Sequence, residues 1–277
     1  MINLDNMYKD SDWRDDPNAP DDFTILIDGN HGWFNALFST AGGTDPKPTV
    51  LLLHGFPGNE KNLDMMQALR RCGFNVLTFN YSGSWGSPGP FLFANVLDDT
   101  KTALQFVMDN AEEYHVDLNN IFMVGHSMGG FSTLHNTAVC EGLKGSIAMA
   151  PYHFGRQYKF GKENGGDDWT NIHELIEGGV LQLLTDYDTL MKELEDHPEY
   201  NIDTIAETLA KKPLMIIGAE FDICAVTKNH GEYLADCIKK FDPADFEYQS
   251  IPSSHSFVDK RLALCEMVAK KLASWVD

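Results

Sequence analysis

Basic residues are scarce in this 277-residue chain: 21 Lys and Arg stand against 41 Asp and Glu, for a formal charge of −20. That balance argues against nucleic acid, whose binding depends on cations neutralising phosphates, and against anionic membrane surfaces. Long apolar runs are missing too. None approaches the ~20 residues a membrane helix needs, and the first 22 residues hold seven Asp rather than the basic start and apolar core of a signal peptide. Cysteine is sparse, odd in number and scattered at positions 72, 140, 224, 237 and 265, so neither a disulfide framework nor a metal knot is expected. No His pair at i, i+4 accompanies a Glu in the manner of zinc hydrolases. These absences predict a cytoplasmic protein, soluble, without metal or cofactor. No coiled-coil heptads or long exposed apolar stripe are visible, which leaves monomer or weak homodimer open.

What is present is a rhythm. Residues 23–28 and 33–39 read as two strands joined by the turn-rich Asp28-Gly29-Asn30-His31-Gly32. Apolar strands at 49–54, 74–80, 121–125, 146–150, 214–218 and 246–251 then alternate with helical segments at 63–72, 96–114 and 128–140. A closing helix from about 258 to 276 would set Val258, Leu262, Cys265, Ala269, Leu272 and Val276 on its core face. Runs this apolar, separated by helices, predict an α/β domain with a mostly parallel central sheet flanked by helices. Between 151 and 213 the rhythm breaks for about sixty residues, with helical patches near 172–195 and 202–211; so long an excursion is expected to be a helical cap insertion. The expected organisation is therefore an acidic N-terminal arm over 1–22, frayed or lying on the surface, a core of 23–151 and 213–277, and a cap over 152–212. Arm and cap together hold −12 of the −20.

Chemistry enters at Gly125-His126-Ser127-Met128-Gly129, a G-x-S-x-G pattern between an apolar strand and a helix-competent stretch. In that setting the chain must turn sharply, which requires small neighbours and raises Ser127 as a nucleophile, with the Met128 N–H facing a developing oxyanion. His54-Gly55-Phe56-Pro57-Gly58 follows the first parallel strand and offers the Phe56 N–H as a second oxyanion donor, although the same turn would also serve as a plain strand exit. An acid and then a base should follow in chain order. Asp222 is preferred over Glu220 as the acid that orients an imidazole, and His255, on the loop after the last strand, is the candidate general base. His54 reads as a brace for its loop, and His126 as the variable position of the pentapeptide. Candidate substrate contacts are Trp85, on the Gly- and Ser-rich stretch 81–89, and Tyr152 and His153 at the start of the cap; packing or surface roles are the alternatives for Trp85 and His153. Tyr152, Phe154, Tyr158, Phe160 and Trp169 form either an apolar roof or ordinary cap core.

With these residues in hand, the chain over 23–277 resembles the α/β-hydrolase superfamily. Within it, the His54–Gly58 turn, the Ser82–Gly89 turn and the cap are similar to small carboxylesterases of the feruloyl or cinnamoyl esterase type, and to serine aminopeptidase-like and prolyl-oligopeptidase-like hydrolases. The resemblance implies Ser127 as nucleophile, Asp222 and His255 as partners, and the Phe56 and Met128 N–H groups as the oxyanion hole. Ser rather than Asp or Cys at the elbow disfavours dehalogenase and dienelactone hydrolase chemistry. Position 82 departs from the pattern: Ser stands where relatives often carry Arg in a Tyr-Arg-Gly turn, so a bracing charge is missing. The expected activity is hydrolysis of small to medium carboxylic esters through an acyl-enzyme. A serine aminopeptidase or amidase of the same fold is the first alternative, and a non-catalytic ligand-binding or scaffold protein the second.

Overall fold

The computed structural model describes residues 2–10, 13, 16–58, 61–164, 170–178 and 183–276. Strands β1 (Asp21–Gly29), β2 (Gly32–Thr40), β3 (Lys47–Leu53), β4 (Asn75–Phe79), β5 (Val116–His126), β6 (Leu143–Met149), β7 (Leu214–Ala219) and β8 (Phe246–Ile251) form one sheet in the order β1-β2-β4-β3-β5-β6-β7-β8. The β1–β2 and β2–β4 pairings are antiparallel and every other pairing is parallel. β1 and β2 are a hairpin closed by Asn30 and His31, with Gly29 facing Gly32.

The apolar strands are continuous because both faces of the sheet are covered. On β3, Val50 and Leu52 point to one face and Leu51 and Leu53 to the other; on β5, Phe122 and Val124 alternate likewise with Ile121 and Met123. The first face is closed by α1 (Leu63–Cys72) and α9 (Arg261–Trp275), the second by α2 (Phe93–Asp109) and α3 (Met128–Val139). Full burial of each such aliphatic side chain stabilises the fold by about 1.5–3 kcal/mol. Helix α8 (Gly231–Lys239) packs with β6 and β7 in a third cluster.

Several boundaries differ from the sequence expectation. Helix α9 starts at Arg261, and Val258 and Leu262 are 72% and 67% exposed; the buried stripe is instead Leu264, Cys265, Val268, Ala269, Leu272 and Trp275. Helix α2 starts three residues early because the distant Glu193 carboxylate accepts from the Phe93 and Ala94 N–H groups, which no local residue caps. It ends early as well, where Asn110 turns its own amide back onto the Phe106 carbonyl. Between β6 and β7 the chain forms α4 (Phe154–Asn164), α5 (Thr170–Glu177), α6 (Tyr187–Asp196) and α7 (Ala206–Leu209). The first of these falls where no helix was expected. Gly155 lets this helix pack closely: a Cβ on it would lie 2.7 Å from the Asn201 nitrogen.

The N-terminal residues are not frayed where described. Met7 is buried among α1 and α9, the Asn3 N–H donates to the Cys72 carbonyl at 2.9 Å, and the Tyr8 hydroxyl donates to the Leu262 carbonyl at 2.9 Å. The five cysteines are free. No helix among the described residues is long and apolar enough to cross a membrane.

Candidate active site

β5 ends at His126 and α3 begins at Met128, leaving Ser127 alone to make the turn with φ 56° and ψ −114°. Such a conformation costs a non-glycine residue about 1–3 kcal/mol, so its surroundings must impose it. They do so by closeness. A Cβ on Gly125 would lie 2.1 Å from the Gly129 carbonyl oxygen, and one on Gly129 would lie 2.3 Å from the Leu53 carbonyl oxygen. The Ser127 backbone is also fixed on both sides: its N–H donates to the Met149 carbonyl at 2.9 Å, and its carbonyl accepts from Phe131 and Tyr152 N–H groups at 3.0 Å each. The residue is 6% exposed.

Two loops from the same end of the sheet meet this serine. His255 follows β8, and its Nε2 lies 2.9 Å from the Ser127 Oγ. Asp222 follows β7, and its Oδ2 lies 2.6 Å from the His255 Nδ1. The other oxygen of Asp222 accepts from the Cys224 and Ala225 N–H groups, both at 2.8 Å. Burial opposes a charge on Asp222, but the bond and charge of His255 together with these two N–H donors hold its pKa below the usual carboxylate range. An ionised Asp222 only accepts, so the Nδ1 of His255 carries the proton and its Nε2 presents a lone pair to the serine hydroxyl. Glu220, the other acidic candidate, is exposed, and its backbone N–H donates to the Ile251 carbonyl.

The turn after β3 runs beside the nucleophile: a Cβ on Gly55 would lie 3.0 Å from the Ser127 Cβ. Phe56 and Pro57 are joined by a cis peptide bond. His54 braces this turn as expected, donating from Nδ1 to the Gly55 carbonyl at 2.8 Å; burial lowers its pKa to about 4, so the ring is neutral. Met128, the other residue expected to offer an N–H, is fully buried at the first position of α3.

The three expected substrate contacts separate. The Trp85 indole N–H donates to the Pro57 carbonyl at 2.6 Å, which ties the 81–89 stretch to the turn beside Ser127. Tyr152 is half-buried, with its N–H on the Ser127 carbonyl and its ring 4.5 Å from that of His230. His153 is a correction: it is 2% exposed and its Nε2 accepts from the Ile202 N–H at 2.9 Å, so its ring packs under the insertion. Phe154 packs with Phe93 and Phe131 at 4.3 and 5.2 Å, as core and not roof. Trp169 and the side chain of Phe160 lie outside the described residues.

Ser82 is tied to a carboxylate of α2. Its N–H and hydroxyl donate to the two oxygens of buried Asp99 at 2.6 and 3.0 Å. Burial raises the Asp99 pKa to about 6, and the two Ser82 bonds oppose that rise.

Three contributions escaped the sequence reading. The Nε2–H of His126 donates to the His255 carbonyl oxygen at 2.8 Å. Arg261 donates from Nη1 to the Ser256 carbonyl at 3.2 Å while its Nε and Nη2 hold the Asp64 carboxylate at 2.8 and 2.6 Å. The His153 N–H donates to the His230 Nδ1 at 2.9 Å, which leaves the proton of His230 on Nε2. Apart from the Arg261–Ser256 bond, which spans five positions, these contacts join residues 77 to 197 positions apart, and no local pattern marks them.

Residues 44–220, well over half of the chain, match the family described as serine aminopeptidase, S33. A Mycoplasma genitalium protein named "Putative esterase/lipase 2" is 25% identical over 228 residues, 73% of this chain and 82% of that one. Acylamino-acid-releasing enzyme 2 of Oryza sativa subsp. japonica is 33% identical over 121 residues, 40% of this chain; the match spans only 15% of the rice enzyme. EstE1, a thermostable carboxylesterase cloned from a metagenomic library, superposes with a TM-score of 0.68 at 18% identity, over 99% of this chain and 93% of that one. The sheet and helices described above are thus the α/β-hydrolase fold.

Proposed function

This chain belongs to the serine aminopeptidase (S33) family of α/β-hydrolases, and from that premise we propose that it hydrolyses carboxylic esters of small to medium acyl groups through an acyl-enzyme on Ser127. The observation that carries the reading is the pair of distances at His255: 2.9 Å from Nε2 to the Ser127 Oγ and 2.6 Å from Nδ1 to the Asp222 Oδ2.

In the proposed reaction, the lone pair on the His255 Nε2 takes the hydroxyl proton as the Ser127 Oγ attacks the ester carbonyl carbon. The π electrons move onto the carbonyl oxygen, and the backbone N–H groups of Phe56 and Met128 hold the oxyanion; one such donor is worth about 3 kcal/mol in the transition state. The C–O bond to the alcohol then breaks, and the leaving oxygen takes the proton from the His255 Nε2. Water repeats the sequence on the acyl-enzyme, releasing the acid and restoring Ser127. Throughout, Asp222 accepts from the Nδ1–H and stabilises the imidazolium that forms twice per turnover.

Ester is favoured over amide by the fate of the acidic residues between β6 and β7. To hold a substrate ammonium away from water, an aminopeptidase would use a carboxylate that is sheltered in the site and free of other partners. Among the described residues of this segment, the buried carboxylate is Glu193, and its oxygens accept from Phe93, Ala94 and the Tyr200 hydroxyl. The resemblance to proteins named esterase supports the same choice. Initial rates on short-chain p-nitrophenyl esters, feruloyl esters and aminoacyl p-nitroanilides test it. Turnover of esters at more than about a hundredfold the kcat/KM of the amides is expected, a ratio of about 3 kcal/mol; a preference for aminoacyl amides would overturn it.

A further inference from the structure

The residue before the nucleophile belongs to no part of the reaction above, yet it is buried and hydrogen-bonded to the loop of the general base. His126 lies at the end of β5 with its ring buried, 4.9 Å from the ring of His255 and 6.3 Å from that of Phe257. Its Nε2–H donates to the main-chain carbonyl of His255 at 2.8 Å. Its Nδ1 is buried and has no hydrogen-bond partner among the described residues, and a Cβ on Gly55 would come within 3.3 Å of it. A buried polar atom left bare costs about 1–3 kcal/mol, so the ring is held there for the bond its other nitrogen makes.

That bond reaches the loop carrying His255, which is also held by the Phe221 N–H on the Ser253 carbonyl at 3.0 Å and by the buried ring of Phe257. The loop leaves β8 at Ile251 and enters α9 at Arg261. Its main chain is anchored from outside by Arg261 on the Ser256 carbonyl, and through Arg261 to Asp64 and Asn62 of the α1 start. On the inner side His126 is the anchor that joins the His255 main chain to the strand presenting Ser127. Ser127 and the His255 loop are thereby linked through adjacent residues of one rigid strand end.

We propose that His126 is a positioning residue: by holding the His255 carbonyl to the strand that presents Ser127, it sets the imidazole in reach of the serine hydroxyl. Proton transfer needs Oγ and Nε2 within hydrogen-bond distance, and small displacements are costly in rate. The ring does not itself take up a proton in turnover. Burial, aided by the nearby His255, keeps it neutral with a pKa of about 3, and a neutral imidazole with Nε2–H is the form the bond requires.

The inference rests on the serine-hydrolase reading, and a comparison of two near-isosteric variants separates the two. His126→Gln keeps an N–H donor at the reach of Nε2, whereas His126→Met fills the same space without one. Steady-state kinetics on an aryl ester should show kcat reduced at least about tenfold in the Met variant with KM changed less than about threefold, and kcat largely restored in the Gln variant. The rate of inactivation by a fluorophosphonate, which needs the same proton transfer, should follow kcat across the two. Rates are referred to folded protein by near-UV circular dichroism, and His126→Leu stands in if the Met variant does not fold. Equal kcat in the wild type and the folded Met or Leu variant would overturn the proposal, as would equal losses in the Met and Gln variants. Failure of the wild type to react at all would instead overturn the serine-hydrolase reading.

Discussion

The Glu193 carboxylate accepts from the backbone N–H of Phe93 at 2.8 Å across a hundred positions of sequence, with the Ala94 N–H on its other oxygen at 2.6 Å. Helix α2 belongs to the layer under the sheet and Glu193 to α6 between β6 and β7, so one residue both caps a core helix and fastens the inserted segment. A carboxylate at a helix N-terminus satisfies orphan N–H groups and opposes the helix dipole. Glu193→Ala should lower unfolding free energy by about 2–4 kcal/mol, since buried donors are left bare. Urea denaturation measures this; a loss below about 0.5 kcal/mol would show that the cap is dispensable.

Trp85 is expected to act through the turn it holds. Trp85→Phe keeps the ring but removes the donor to the Pro57 carbonyl. A loss of about 1.4 kcal/mol of positioning corresponds to a tenfold fall in kcat/KM, with melting temperature little changed. Steady-state kinetics beside a thermal melt checks both; unchanged kcat/KM would assign Trp85 to packing alone.

Acid should unfold the protein early. Burial first of all lowers the pKa of His54 and His230 to about 4, of His126 to about 3, and of His153 well below its usual value. Unfolded histidines take up protons below about pH 6.5 and these native ones do not, so the stability they contribute is present above that pH and is lost as pH falls toward about 4. Asp99, raised to about 6 by burial, works the other way: it stays protonated in the fold where the unfolded chain has ionised, and its contribution weakens as pH rises from about 4 to 6. With His135, which burial also lowers to about 4, five histidines outweigh one carboxyl. The melting temperature should fall by at least about 5 °C between pH 7.5 and 5.0; a flat or rising value would contradict this.

The glycines packed around Ser127 are not equivalent. A Cβ on Gly129 would meet backbone, 2.3 Å from the Leu53 carbonyl oxygen, whereas one on Gly55 would meet the Ser127 Cβ at 3.0 Å. Gly129→Ala should therefore cost about 3 kcal/mol or more of stability, and Gly55→Ala should fold but lose activity by displacing the serine. Expression and melts of both, with ester kinetics on Gly55→Ala, distinguish them. Similar stability for the two would be the contrary result.

The sequence made legible whatever is local or follows from chain order. The strand-turn-helix at Ser127 carries its own glycines, continuous apolar runs mark the parallel strands, and Asp222 and His255 follow in the order expected after strands. The site's supports were hidden because they are tertiary. Glu193 supplies a cap that Leu92 cannot; His126 looks like a free position until the His255 loop folds over it. Val258 and Leu262 fit the helical period of α9 yet face solvent, because the helix begins only at Arg261 and its register is set by Leu264 and Cys265.

The most direct test of the central claim is intact mass after exposure to a fluorophosphonate, on wild-type protein and Ser127→Ala. One adduct per wild-type chain and none on Ser127→Ala is the predicted result; no adduct on folded wild-type protein, or an adduct that survives the substitution, would contradict Ser127 as the activated nucleophile.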